Sequence, residues 1–191
     1  MKIVRLFAFV LIALFIVSCA RPPQAELDAA KAAVEKASQD PDVERYAAED
    51  LARAREALSR AQTDVQARRY DKAKASALEA SAAAAKALAD APAAKARAKD
   101  AAAAQIAELK AAIPEAEKLI ASTKKLSTIR LDSAAAAKII AAAKAALEEA
   151  ERDFLAGDYI GAQGKAEGAK NSIADLSREI STAVQAATRK K

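Results

Sequence analysis

The chain has 191 residues, of which 58 are alanine, 31 basic and 26 acidic, with one cysteine, no histidine and no tryptophan. A formal charge of +5, falling to +3 without Lys2 and Arg5, is too weak and too evenly interspersed for nucleic-acid binding, and only Tyr46, Tyr70, Phe154 and Tyr159 lie beyond residue 18 as aromatics for base stacking. Without histidine or a second cysteine, the nucleophile–base pairs and zinc sets of common hydrolases cannot be assembled, so the chain is read as non-enzymatic with no cofactor and no metal.

At the amino end, Lys2 and Arg5 supply positive charge, residues 6–17 are an unbroken apolar run and Ser18 is a small residue, the pattern of a signal peptide over residues 1–18. The run Ile16-Val17-Ser18-Cys19 resembles the lipobox of bacterial lipoproteins. That resemblance implies a diacylglyceryl group on the Cys19 sulfur, cleavage between Ser18 and Cys19, and further acylation of the new terminus. Two other readings compete. An uncleaved anchor needs roughly twenty apolar residues, and this run is shorter. A plain secreted protein would leave Cys19 as an unpaired thiol. Two or three acyl chains hold a membrane far more firmly than one. Ala20 stands where an aspartate retains enteric lipoproteins at the inner membrane, so the outer membrane is expected, with the folded part facing the periplasm. Residues 19–24 form the lipidated end and a short tether stiffened by Pro22 and Pro23.

The remainder is expected to be all-α, an antiparallel helical bundle or set of coiled-coil hairpins, because alanine has the highest helix propensity. Punctuation at Asp40-Pro41, Asp90-Ala91-Pro92, Asp132-Ser133 and Gly157-Asp158 predicts helices over 25–38, 43–67, 70–90, 92–125, 131–156 and 158–188. Pro114 falls inside the fourth, yet Ile106, Leu109, Ile113, Ala116 and Ile120 keep their three-and-four spacing across it, which predicts a kinked but continuous helix. Residues 25–90 form a first helical unit, 91–188 a second, and 189–191 a basic end.

The units are related. A shift of 89 residues lays Leu51, Ala54, Leu58, Ala61 and Val65 on Ile140, Ala143, Leu147, Ala150 and Phe154, then Tyr70, Ala73, Ala77 and Ala80 on Tyr159, Ala162, Ala166 and Ala169. Each tyrosine is expected to pack its ring under the interhelical turn. The stretch from Arg45-Tyr46-Ala47-Ala48-Glu49-Asp50-Leu51 to Tyr70-Asp71-Lys72-Ala73 resembles an uncharacterised bacterial lipoprotein family known as a domain of unknown function. The resemblance is clearest over 25–90, with Ala48 where proline is common and Arg68-Arg69 in place of a Gly-Asp turn; the second copy carries Gly157-Asp158-Tyr159. It implies an α-helical envelope protein, of a kind sometimes joined to peptidoglycan-binding domains of the outer-membrane-protein-A type. The turn also resembles those of tetratricopeptide repeats, but the period of 89 is far from theirs, and local convergence explains it better.

Adjacent carboxylates such as Glu49/Asp50 and Glu148/Glu149 do not face one another on a helix and read as solvated surface. Gly161, Gly164 and Gly168 form a stripe on the last helix, each costing about 1 kcal/mol relative to alanine. Either a neighbouring helix of the same molecule approaches closely there, or the stripe is a contact face for a partner helix or a second copy. The end Arg189-Lys190-Lys191 complements a helix dipole. It also resembles that of small alanine-seamed lipoproteins of the Braun type, which would make Lys191 a peptidoglycan attachment point. The reading favoured is a membrane-anchored scaffold meeting an envelope protein or itself. The alternatives are a tether from outer membrane to peptidoglycan, and a lipid-binding module, against which the scarcity of large apolar side chains counts.

Overall fold

The computed structural model describes residues 21–124 and 132–189. Among them are six α-helices and no strand: α1 Gln24–Gln39, α2 Pro41–Tyr46, α3 Ala48–Gln66, α4 Tyr70–Lys124, α5 Ser133–Leu155 and α6 Tyr159–Thr188. The fold is an all-α bundle. Contacts divide the chain between Ala91 and Pro92, so α4 gives its first part to one unit and the rest to the other.

In the first unit, α1, α3 and the start of α4 pack around an alanine seam. Leu27, Ala30, Val34 and Ala37 of α1 meet Leu51, Ala54, Ala57 and Ala61 of α3 and Ala77, Ala80, Ala84, Ala87 and Ala91 of α4, all buried at helical spacing. Each methyl removes little area from water, so the larger contributions, roughly 1.5–3 kcal/mol each, come from Leu27, Val34, Val43 and Leu51. Ion pairs mark the directions: Lys86–Asp50 at 2.6 Å and Arg60–Glu79 at 2.9 Å show α3 antiparallel to α4. Arg55 donates to Ser38 at 3.0 Å and Lys74 pairs with Glu26 at 2.8 Å, which closes α1 onto both.

In the second unit, the rest of α4 packs with α5 and α6. Its seam is heavier, with Leu109, Ile113, Ile120, Ile140, Ile173, Leu176 and Ile180 buried among alanines. Lys110–Glu151 at 3.4 Å and Lys144–Glu117 at 2.7 Å run α5 antiparallel to α4, and Lys165 joins α6 to Glu149 and Asp153 of α5 at 3.1 and 2.8 Å. Thr123 is the buried polar residue among those described, and its hydroxyl donates to the Leu119 carbonyl at 2.8 Å.

The duplication extends to single hydrogen bonds. At the end of α3, the N–H groups of Ala67, Arg68 and Arg69 donate to the carbonyls of Thr63, Val65 and Asp64; at the end of α5, those of Ala156, Gly157 and Asp158 donate to Arg152, Phe154 and Asp153. Every partner is displaced by 89. Both ends are Schellman turns with a left-handed residue at the same place, Gly157 at φ 81° and Arg68 at φ 55°. Burial repeats too, with Leu51, Ala54 and Ala61 buried like Ile140, Ala143 and Ala150, and Leu58 and Val65 half-buried like Leu147 and Phe154. The first helices of the units also correspond, at a different offset: Leu27, Ala30, Val34 and Ala37 share their spacing with Ile106, Leu109, Ile113 and Ala116.

Two predicted boundaries are corrected. The helix expected over 43–67 is divided at Ala47, whose φ of −131° and ψ of 31° leave the helical region. Asp40 starts the short α2 from outside, its carboxylate accepting from the N–H groups of Asp42 at 2.8 Å and Val43 at 3.3 Å, with Pro41 in the first position. The break expected at Asp90-Ala91-Pro92 is absent: α4 is continuous through Pro92 and Pro114. Both prolines are exposed, whereas Ala91 and Ile113 just before them face the core. A carbonyl freed by a proline on the outer face is solvated by water, so the helix tolerates each proline.

Candidate functional site

The lipobox residues Ile16, Val17 and Ser18, the acylation candidate Cys19 and the attachment candidate Lys191 all lie outside the described residues. The glycine stripe lies within them. Asp158 caps α6, its carboxylate accepting from the Gly161 N–H at 3.2 Å, and a Cβ on Gly161 would stand 2.5 Å from Asp158 Oδ2. Glycine there makes room for the cap. Gly164 and Gly168 are exposed, and a Cβ added to either would meet no described atom within 4 Å. Close approach by a helix of the same molecule therefore does not account for those two glycines.

Charges line the helix borders in opposed pairs. The hydrogen bond from Lys74, with the pull of its charge, holds the Glu26 carboxyl below its usual range, and Lys74 is raised in return. Hydrogen bonds to Glu79 raise Arg60, those to Asp50 and Asp90 raise Lys86, and those to Asp153 and Glu149 raise Lys165. All are solvated surface pairs, of the kind that fixes helix register and contributes little to stability. Among the described residues no group of three or more His, Cys, Asp or Glu side chains is arranged to hold a metal, and no helix is long and apolar enough to cross a membrane.

Apolar exposure concentrates at the tip of the second hairpin. Leu155, the last residue of α5, is 86% exposed, and Ile160, in the first turn of α6, is 49% exposed. Beneath them Phe154 and Tyr159 meet edge to face, centroids 5.2 Å apart, so the tyrosine packs at the turn as its position predicted. An open groove of about 450 Å³ lies between α4 and α5, lined by Ala103, Ile106, Ala107 and Phe154. Leu155, Lys110 and Glu151 also line it. Matches between the repeats hid this feature, because it lies in their differences. In the first hairpin, Gln66 and Asp71 occupy the places of Leu155 and Ile160.

A family model described as a domain of unknown function, DUF4398, matches residues 25–125, more than half of the chain. The chain belongs to the DUF4398 family. No curated protein and no solved structure matches it. The DUF4398 match starts in α1 and ends one residue beyond α4, so it takes in the first unit with its Arg68-Arg69 turn. The α5–α6 hairpin, which carries the glycine-bearing turn and the apolar tip, lies beyond the DUF4398 match.

Proposed function

We propose that this DUF4398 protein is a membrane-anchored bacterial lipoprotein, a non-enzymatic scaffold that presents helical faces in the cell envelope. The observation that carries this reading is the lipobox-like Ile16-Val17-Ser18-Cys19 directly behind twelve apolar residues and a basic start. It explains the chain's single cysteine and its position together. Ala20 in the following position supports sorting to the outer membrane. The bundle suits presentation: alanines fill much of the interior of each unit, and opposed charges line the borders of the described helices.

Replacing Cys19 by serine tests the anchor. Wild-type protein is expected in the membrane fraction and to partition into detergent, and Cys19→Ser protein to leave the membrane or accumulate unprocessed. Unchanged membrane association and processing of Cys19→Ser would overturn the reading. Boiling sacculi in detergent separates off the wall tether, since a chain joined through Lys191 would stay on the sacculus until that residue is deleted.

A further inference from the structure

We infer that, given the anchor proposed at Cys19, the Arg68-Arg69 end of the first unit docks on an anionic phospholipid surface and so fixes how that unit stands on its membrane. The topology of the unit brings this end to the tether. Lys74, near the start of α4, pairs with Glu26 in the first turn of α1 at 2.8 Å, so the α3–α4 turn lies beside the start of α1. Cys19 is five residues before Gln24, a span of at most about 18 Å. A bilayer that holds Cys19 is therefore within reach of this end. Arg21, Arg68, Arg69 and Lys72 are all exposed there. Arg69 pairs with Asp64 at 2.6 Å, whereas Arg21, Arg68 and Lys72 have no ion-pair partner among the described residues, and Asp71 is the carboxylate nearest to them in sequence.

The second hairpin is an internal comparison, because its turn has the same hydrogen bonds. Residues 66–74 hold four cations and one carboxylate, while their counterparts, residues 155–163, hold one carboxylate and no cation. The turn itself favours the second set. Glycine takes a positive φ without strain at 157, where the first copy has Arg68 at φ 55°. Asp158 accepts from the Gly161 N–H at 3.2 Å, a cap that Arg69 cannot supply because a guanidinium only donates. The solvated Arg69–Asp64 pair offsets little of this, so the gain from two arginines lies outside the fold. The other end of the unit has the opposite sign: residues 40–50 hold five carboxylates against Arg45 alone, and the 2.6 Å Lys86–Asp50 pair sets that end several helical turns along α4 from Tyr70. The unit is thus an electrostatic dipole whose positive end carries the tether, a polarity that draws this end to an anionic lipid surface and turns the acidic end away. An acidic protein would meet the same cations, but the short tether gives the bilayer first access. Each basic residue held close to such a surface strengthens binding about fivefold, and the attraction fades within a Debye length.

The test is amide hydrogen exchange of the chain extracted from its own membrane and returned to vesicles, either of phosphatidylcholine alone or with a third of the lipid replaced by phosphatidylglycerol. Exchange over residues 66–74 is expected to be slower by about fivefold or more on the anionic vesicles than on the neutral ones, and exchange over 155–163 to be the same on both. Arg68→Gly/Lys72→Gln leaves the seam untouched and relieves the left-handed arginine, and it should abolish the slowing, as should high salt. Equal exchange on the two kinds of vesicle, a slowing confined to 155–163, or one that survives the double substitution would overturn the inference. So would slowing by isolated peptidoglycan sacculi and by neither vesicle, which would assign the surface to the wall polymer. Intact mass of the same sample reports the anchor separately. Acylated chain without the slowing leaves the anchor standing and refutes the docking, and chain recovered only as soluble protein removes both.

Discussion

Exchanging the left-handed residues of the two turns probes the duplicated architecture most sharply. Arg68 at φ 55° pays the steric penalty of a side chain in the left-handed region, about 1–2 kcal/mol. Glycine removes that penalty but gains freedom in the unfolded chain, which returns about 0.4–1 kcal/mol. Arg68→Gly should thus stabilise the first unit by about 0.5–1 kcal/mol. The reverse holds at Gly157, where an added Cβ meets nothing within 4 Å, so Gly157→Ala should cost about the same from backbone conformation alone. Urea unfolding followed by circular dichroism reads both. With a slope of about 1–3 kcal/mol per molar, the midpoint should move by a few tenths of a molar, upward for Arg68→Gly and downward for Gly157→Ala. Amide exchange should locate the first effect in α3 and the start of α4 and the second in α5 and α6. If Arg68→Gly lowered the midpoint, or Gly157→Ala left it unmoved, the two turns would not be energetic equivalents.

Leu51→Ala, at a residue 1% exposed in the alanine seam, should destabilise by about 2–5 kcal/mol in urea unfolding, whereas Leu78→Ala on the outer face should stay within about 0.5 kcal/mol. Ala84→Leu adds volume to a fully buried position and should cost about 1–3 kcal/mol, measured as a drop in melting temperature. Pro114→Ala restores a helix donor on the exposed side of α4 and should raise the stability of the second unit by at least about 1 kcal/mol, read by amide exchange. Because Lys74 lowers the Glu26 carboxyl below its ordinary 4.5, the pair's contribution is complete above that value and disappears as pH falls through the lowered one. The acid limb of a pH–stability curve should therefore be slightly steeper for wild type than for Glu26→Gln, and the difference should shrink in high salt.

Periodicity made the fold legible. The residues that the 89-residue shift pairs, from Leu51 on Ile140 to Ala61 on Ala150, lie in the two seams at three-and-four spacing, and the duplicated turn that the shift implied has matching hydrogen bonds in both copies. The misplaced boundaries have physical reasons. Ala47 and Ala48 carry no breaker, so propensity ran a helix through a point where backbone geometry changes direction, although the family resemblance had marked position 48 as one that commonly holds proline. At Pro92 the opposite happened: a strong breaker was overridden because it sits on the solvent side. The glycine stripe suggested a close approach, yet only Gly161 has a local reason, its own helix cap. The apolar tip was written in the sequence as Leu155 against Gln66 and Ile160 against Asp71, but spacing reads likeness, and exposure depends on how a turn projects its side chains.

The central proposal, a lipid-anchored envelope scaffold, turns on one atom, the sulfur of Cys19. Intact-mass and peptide analysis of protein extracted from the membrane of its own cells tests it directly. The expected result is a chain beginning at Cys19, with residues 1–18 removed and a mass increase on the first residue equal to a diacylglyceryl group, with or without an additional acyl chain. A membrane-extracted chain that retains residues 1–18, or that carries an unmodified thiol at Cys19, would contradict it.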